Sequence, residues 1–73
     1  MKREAVESEA ILGVGYDGRR RVLEIEFVDH DVYDYFDVAP RAHLALMRAE
    51  SHGRHFAEHI RDRYAYERVA GAG

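Results

Sequence analysis

The sequence predicts an α+β fold: a three-stranded antiparallel meander followed by two helices packed on one sheet face. Three observations predict it. Apolar and acidic residues alternate strictly through Leu23-Glu24-Ile25-Glu26-Phe27, the period-2 pattern of a half-buried strand. Asp17-Gly18 and Asp29-His30-Asp31 punctuate that region at hairpin spacing. Beyond Pro40 the apolar spacing lengthens to three and four residues, the period of a helix.

Residues 1–7 are charged and aperiodic, so a loose N-terminus is expected, with one domain over 8–69 and a fraying tail at 70–73. The first strand follows Ser8. Leu12, Val14 and Tyr16 alternate with Ile11, Gly13 and Gly15, which leaves one side bare and open to a close approach by another backbone or side chain. Asp17-Gly18 turns the chain into the second strand, Arg21 to Val28. A polar turn at Asp29-His30-Asp31 leads to the third strand, Val32 to Phe36. A three-residue loop there would set Phe27 opposite Tyr33 and Ile25 opposite Tyr35, with both tyrosines on the core side; a two-residue loop would turn them outward. The first register gives the more coherent apolar face.

Pro40 suits the first turn of a helix, where its missing N–H leaves no bond unmade. Leu44, Met47 and Leu46 are the candidates for that helix's apolar stripe, which should end near Ala49 or Glu50. Ser51 is a natural N-cap for a second helix running to about Arg63, with Phe56, Ile60 and Tyr64 four residues apart on its inner face. The expected core is Ile11, Leu12 or Val14, Tyr16, Leu23, Ile25, Phe27, Tyr33, Tyr35, Leu44, Met47, Phe56 and Ile60.

Composition narrows the function classes. A chain of 73 residues supports one modest core, burying roughly 60% of its unfolded surface. It has no cysteine, so disulfides and thiolate metal sites are excluded and a reducing compartment fits. No apolar run reaches membrane-spanning length and the start lacks a signal-peptide core, so the cytoplasm is the expected location. The net charge of −3 argues against indiscriminate nucleic-acid binding, but it is unevenly spread. Residues 1–40 carry a balance of −5, whereas residues 41–73 carry +2 and four of the five histidines. The second half is therefore the candidate anion-facing side.

The candidate site residues each have a structural reading beside the functional one. Tyr33 and Tyr35 could stack single-stranded bases, or could bury their rings beneath the helices; a chain with three phenylalanines and no tryptophan needs them for its core. Arg54, Arg61 and Arg63, with Arg48 and Arg68, could grip phosphates, Arg54 and Arg61 lying seven apart on one helix face. Alternatively they form a solvated surface paired with Glu58 and Asp62. His52, His55 and His59 share a helical spacing that can hold Zn²⁺ or Ni²⁺, but such clusters are more often surface decoration, and no metal or other cofactor is expected. His59 also suits a structural hydrogen bond beside Phe56 and Ile60. Asp34 and Asp37 form no acid–base couple, no base activates Ser8 or Ser51, and Arg19-Arg20-Arg21 reads as a solubilised hairpin edge. No catalytic set can be assembled, so the protein is not expected to be an enzyme.

Gly15-Tyr16-Asp17, Leu23-Glu24-Ile25-Glu26-Phe27, Val32-Tyr33-Asp34-Tyr35-Phe36, Val38-Ala39-Pro40, and Gly53-Arg54-His55-Phe56 through His59-Ile60-Arg61 and Tyr64 together resemble the KTSC domain. This small domain lies at the C-terminus of some lysyl-tRNA synthetases and also stands alone in bacterial and phage-related proteins. The resemblance spans roughly Ser8 to Tyr64. It implies a binding module with no established activity, for which RNA association has been suggested. The chain departs from the family at His52, His55 and Ala57-Glu58, where lysine, an aromatic residue and asparagine-arginine are usual, and so loses basic character there. Two functional expectations follow. One is an RNA- or tRNA-associated module using Tyr33, Tyr35, Arg54, His59, Arg61 and Arg63. The other is a bacterial or phage accessory module that binds a protein, or dimerises, through a sheet edge.

Overall fold

The computed structural model describes residues 1–71. Its elements are β1 (Arg3–Ala5), β2 (Ile11–Asp17), β3 (Val22–Phe27), β4 (Val32–Tyr35), α1 (Pro40–Arg48), α2 (His52–His59) and β5 (Tyr66–Ala70). The strands form one antiparallel sheet in the order β1-β2-β3-β4-β5. The α+β class and the two helices on one face stand, but the sheet has five strands where the sequence suggested three. The two additional strands are its edges. Every residue of both is exposed, so neither carries the buried apolar face that marks an inner strand.

The central meander is set by β3. Leu23, Ile25 and Phe27 face the helices, while Val22, Glu24 and Glu26 face away. The β3–β4 register pairs Ile25 with Tyr33 and Leu23 with Tyr35. The expected Phe27–Tyr33 and Ile25–Tyr35 pairs are thus displaced by two residues. The cause lies in the turn: the loop is Val28–His30, one position earlier than expected, closed by the Phe27 N–H donating to the Asp31 carbonyl at 2.9 Å. His30 takes a left-handed φ of 71° to complete it. A two-residue displacement preserves side-chain parity, so both tyrosines keep the core side.

A bulge in β2 resolves the choice between Leu12 and Val14. Ile11 pairs with Phe27 and Gly13 with Glu26, leaving Leu12 as the extra residue and turned to solvent. Ile11, Val14 and Tyr16 then all reach the helix side. On the other face, Gly13 and Gly15 sit beside β1 in the sheet, paired with Ala5 and Arg3, and a Cβ on Gly15 would sit 3.0 Å from the Lys2 carbonyl oxygen and 3.2 Å from Arg3 Cγ. The bare stripe expected of those glycines is therefore crossed by the Arg3 side chain on its way to Glu24 of β3.

The core consists of Ile11, Val14, Leu23, Ile25, Tyr35, Val38, Leu46, Phe56 and Ile60. Leu44, expected inside, is 45% exposed, and the inner stripe of α1 is Ala42 and Leu46 with Met47 at its side. The helix turns this way because its start is pinned. The Val38 N–H donates to the Arg21 carbonyl at 3.0 Å, and the Tyr16 hydroxyl donates to the Val38 carbonyl at 2.6 Å, burying Val38. Tyr16 also stacks on His43, with ring centroids 4.5 Å apart. Burial holds the His43 imidazole below its ordinary pKa.

Ser51 caps α2 as expected, its Oγ accepting from the Arg54 N–H at 3.2 Å. The helix ends at His59 instead of near Arg63, since the Ile60 and Arg61 N–H groups both donate to the Phe56 carbonyl and wind the chain into a turn. Tyr64 still packs against the core from beyond that turn. Replacing Ser51 by Ala should lower stability by about 1 kcal/mol with no change in the folded spectrum, read as a shifted urea midpoint at constant slope.

Candidate binding groove

The end of the sheet bounded by β4, β5 and the turn after α2 holds an open groove of about 380 Å³. Five of the chain's eight phenylalanine and tyrosine rings line it: Phe27, Tyr33, Tyr35, Phe56 and Tyr66. The topology explains the gathering. Tyr33 and Tyr35 project from one face of β4, Phe27 ends β3 beside them, and pairing of Tyr66 with Tyr35 adds the outer ring. Phe56 comes down from α2 and meets Phe27 and Tyr35 edge-on, at centroid distances of 5.3 and 5.4 Å. Tyr66 leans on Tyr33 and Tyr35 at 5.7 and 5.8 Å. These are ordinary aromatic spacings, so the wall is self-supporting.

The rings grade from inside to outside. Phe56 and Tyr35 are buried, Tyr33 and Phe27 are partly buried, and Tyr66 is 60% exposed. Burial and the neighbouring phenols push Tyr35 up to about 12, so its hydroxyl stays neutral at any physiological pH. At the mouth stand Asp29, Asp31, Asp62 and Arg61. The Arg61 guanidinium carbon lies 5.7 Å from the Phe56 ring centroid, a cation–π placement, and Asp31 accepts from Arg68 at 3.1 Å.

Of the residues singled out in the sequence, the groove unites Tyr33, Tyr35 and Arg61. It leaves out the others. Arg54 pairs with Glu58 at 3.5 Å on the exposed side of α2, so Glu58 is not the partner of Arg61 or Arg63. The early end of α2 places Arg61 in the following turn, so Arg54 and Arg61 do not share a helix face. Arg63 is exposed and does not line the groove. The His59 ring lies 4.6 Å from that of His55, also outside the groove, and burial with the neighbouring His59 lowers the His55 pKa. His52 turns its Nε2 toward the Met47 carbonyl at 3.4 Å, and among the described residues no group of three or more candidate ligands converges.

Sequence reasoning missed Tyr66 and the three aspartates as groove residues, and it took Arg68 for a phosphate contact where the structure pairs it with Asp31. The alternation Tyr66-Glu67-Arg68-Val69 was the available signal, but a fully exposed edge strand offers only weak periodicity.

Comparison with known proteins agrees with this architecture. The KTSC domain model matches residues 7–64. A crystal structure of a KTSC domain protein from Yersinia pestis superposes with a TM-score of 0.92 at 38% identity, covering 94% of this chain and 97% of that one. An uncharacterised protein of Stutzerimonas stutzeri is 39% identical over 70 residues, 94% of this chain and 99% of that protein. A lysine–tRNA ligase of Nostoc punctiforme is 33% identical over 64 residues, which are 88% of this chain but 11% of the ligase. Matched by the family model over residues 7–64 and superposing on a solved member over nearly its whole length, the chain belongs to the KTSC domain family.

Proposed function

We propose that the protein is a small, non-catalytic recognition module and that the aromatic groove is its working surface. One observation carries this reading: five of the eight phenylalanine and tyrosine rings converge on one open cleft, and Tyr66 stands largely exposed at its mouth. Tyr66 and the open side of Tyr33 present a π-surface to solvent, and Asp29, Asp31, Asp62 and Arg61 place hydrogen-bonding groups around it. Such a site takes a flat or positively charged group whose N–H donors reach the carboxylates. The groove lining contains phenols, carboxylates and one guanidinium but no serine, cysteine or histidine, so a Ser–His or Cys–His pair has no members there.

RNA association is the second reading, favoured by the relationship to part of a lysine–tRNA ligase. In that reading a base stacks on the open faces of Tyr66 and Tyr33 while Arg61 meets the backbone phosphate. Both versions share a test. Titration of isotope-labelled protein with single-stranded oligonucleotides and with short basic peptides should shift the resonances of Tyr33, Tyr66 and Arg61 before those of α1. Perturbation confined to another surface, or silence with every probe, overturns the groove as the working surface.

A further inference from the structure

Resting on that reading, we propose that the groove's ligand is an arginine side chain carried on an extended segment of a partner protein, laid along the free edge of β5. The electrostatics of the mouth select the charge. Three carboxylates, Asp29, Asp31 and Asp62, face the cleft against the single guanidinium of Arg61, and Arg68 is already engaged with Asp31. Asp29 and Asp62 hold no ion pair among the described residues. A phosphate brought to this mouth meets more negative charge than positive, whereas a cation meets uncommitted carboxylates beside aromatic faces.

The rings select the type of cation. A guanidinium is planar, weakly hydrated, and stacks on an aromatic ring while donating in its own plane. The molecule already contains one example, Arg61 over Phe56 at 5.7 Å. Tyr66 and Tyr33 pack on each other with centroids 5.7 Å apart, and the exposed face of Tyr66 with the open side of Tyr33 provides a second aromatic surface. An incoming guanidinium resting there lies near the aspartates of the β3–β4 loop and the turn after α2.

The strand explains how the side chain is delivered. β5 ends the sheet, so among the described residues one of its edges has no partner strand, and all five of its residues are exposed. It carries no proline or lysine, and of its two charged residues, Glu67 and Arg68, the second is already drawn to Asp31. An extended segment pairing with β5 would bring alternate side chains over the groove face beside Tyr66, main-chain bonds supplying affinity and the aromatic cleft supplying the choice of residue.

The test uses the full chain and three probes: a capped, glycine- and valine-flanked arginine peptide, the same peptide with citrulline in place of arginine, and a single-stranded oligoadenylate. The arginine peptide should shift Tyr33, Tyr66, Asp29 and Asp62 and protect β5 amides, and the neutral citrulline isostere should bind at least about tenfold more weakly. Tyr66→Ala should weaken the arginine peptide by a similar factor. Because that substitution could loosen β5, Asp29→Asn with Asp62→Asn, both at exposed positions, must give the same loss in a protein of unchanged stability. Equal binding of the citrulline peptide overturns the proposal. Oligoadenylate binding at these resonances with the arginine peptide silent overturns the arginine ligand but keeps the groove as the working surface. Silence of all three probes at millimolar concentration removes both.

Discussion

Replacing Phe56 by Ala should lower stability by about 3–5 kcal/mol, the range for deleting a fully buried ring. For a domain of 73 residues that is a large part of a total near 4–11 kcal/mol, so much of the variant should be unfolded at 37 °C. Phe56 is 3% exposed and joins parts that otherwise touch little. It packs edge-on against Phe27 of β3 and Tyr35 of β4, lies under Arg61, and its carbonyl accepts the two N–H groups that end α2. Removing the ring opens a cavity where α2 meets the sheet and removes the floor of the groove. Phe56→Leu separates the two consequences. It keeps most of the apolar volume, so the fold should survive with a loss of about 1–2 kcal/mol, while the edge-on contacts and the seat of Arg61 disappear. Urea unfolding followed by far-UV circular dichroism measures both variants. A loss below about 1 kcal/mol for Phe56→Ala would mean that the helices are held to the sheet by other contacts.

The parts of the fold that were legible in the sequence are those written in buried side chains. The alternation of Leu23, Ile25 and Phe27 fixed a face, Pro40 and Ser51 marked two helix starts, and the Tyr33–Tyr35 pair fell on the expected side. Errors arose where a single residue of backbone geometry shifts everything after it. The β2 bulge turned Leu12 outward while leaving Ile11 and Val14 both inside, which strict period-2 counting cannot represent. The β3–β4 loop began one residue early and moved the cross-strand pairs by two. Leu46 replaced Leu44 because the phase of α1 is set by Tyr16 and Arg21 holding Val38, a contact distant in sequence. The edge strands left almost no trace, since a strand paired on one side and solvated on both faces need not alternate. Missing β5 meant missing the groove, because Tyr66 is its outer wall and the strand closes the aromatic cluster.

Replacing Asp34 by Asn should stabilise the protein at neutral pH by about 1–2 kcal/mol, allowing for solvent screening of a partly exposed group, and should leave it unchanged near pH 3. Asp34 lies directly opposite Glu24 on the sheet face away from the helices. Arg3 reaches across from β1 and donates to Glu24 at 2.7 Å and sits 3.3 Å from Glu26, so the charged partner in this cluster is committed to the glutamates. Asp34 Oδ1 is buried without a hydrogen-bond partner among the described residues. Burial first, then the hydrogen bond and charge of Glu24, raise the Asp34 pKa from 3.8 to about 6. The sign follows from which state holds the proton. Below about pH 3.8 the carboxyl is protonated both folded and unfolded and contributes nothing. As pH rises from there to about 6, the unfolded chain releases its proton while the folded chain keeps it, so stability falls across that window. Above about 6 both states are ionised and the penalty is constant. Asn stays neutral throughout, and its amide can donate to Glu24 as the protonated acid does. Unfolding midpoints of the two proteins should therefore coincide near pH 3, separate between pH 4 and 6, and run parallel above it. A midpoint for Asp34→Asn at or below that of the parent at pH 7.5 would show that Asp34 is stabilised as an anion, with Arg3 or Arg20 as its counter-charge instead of Glu24 as its proton-sharing neighbour.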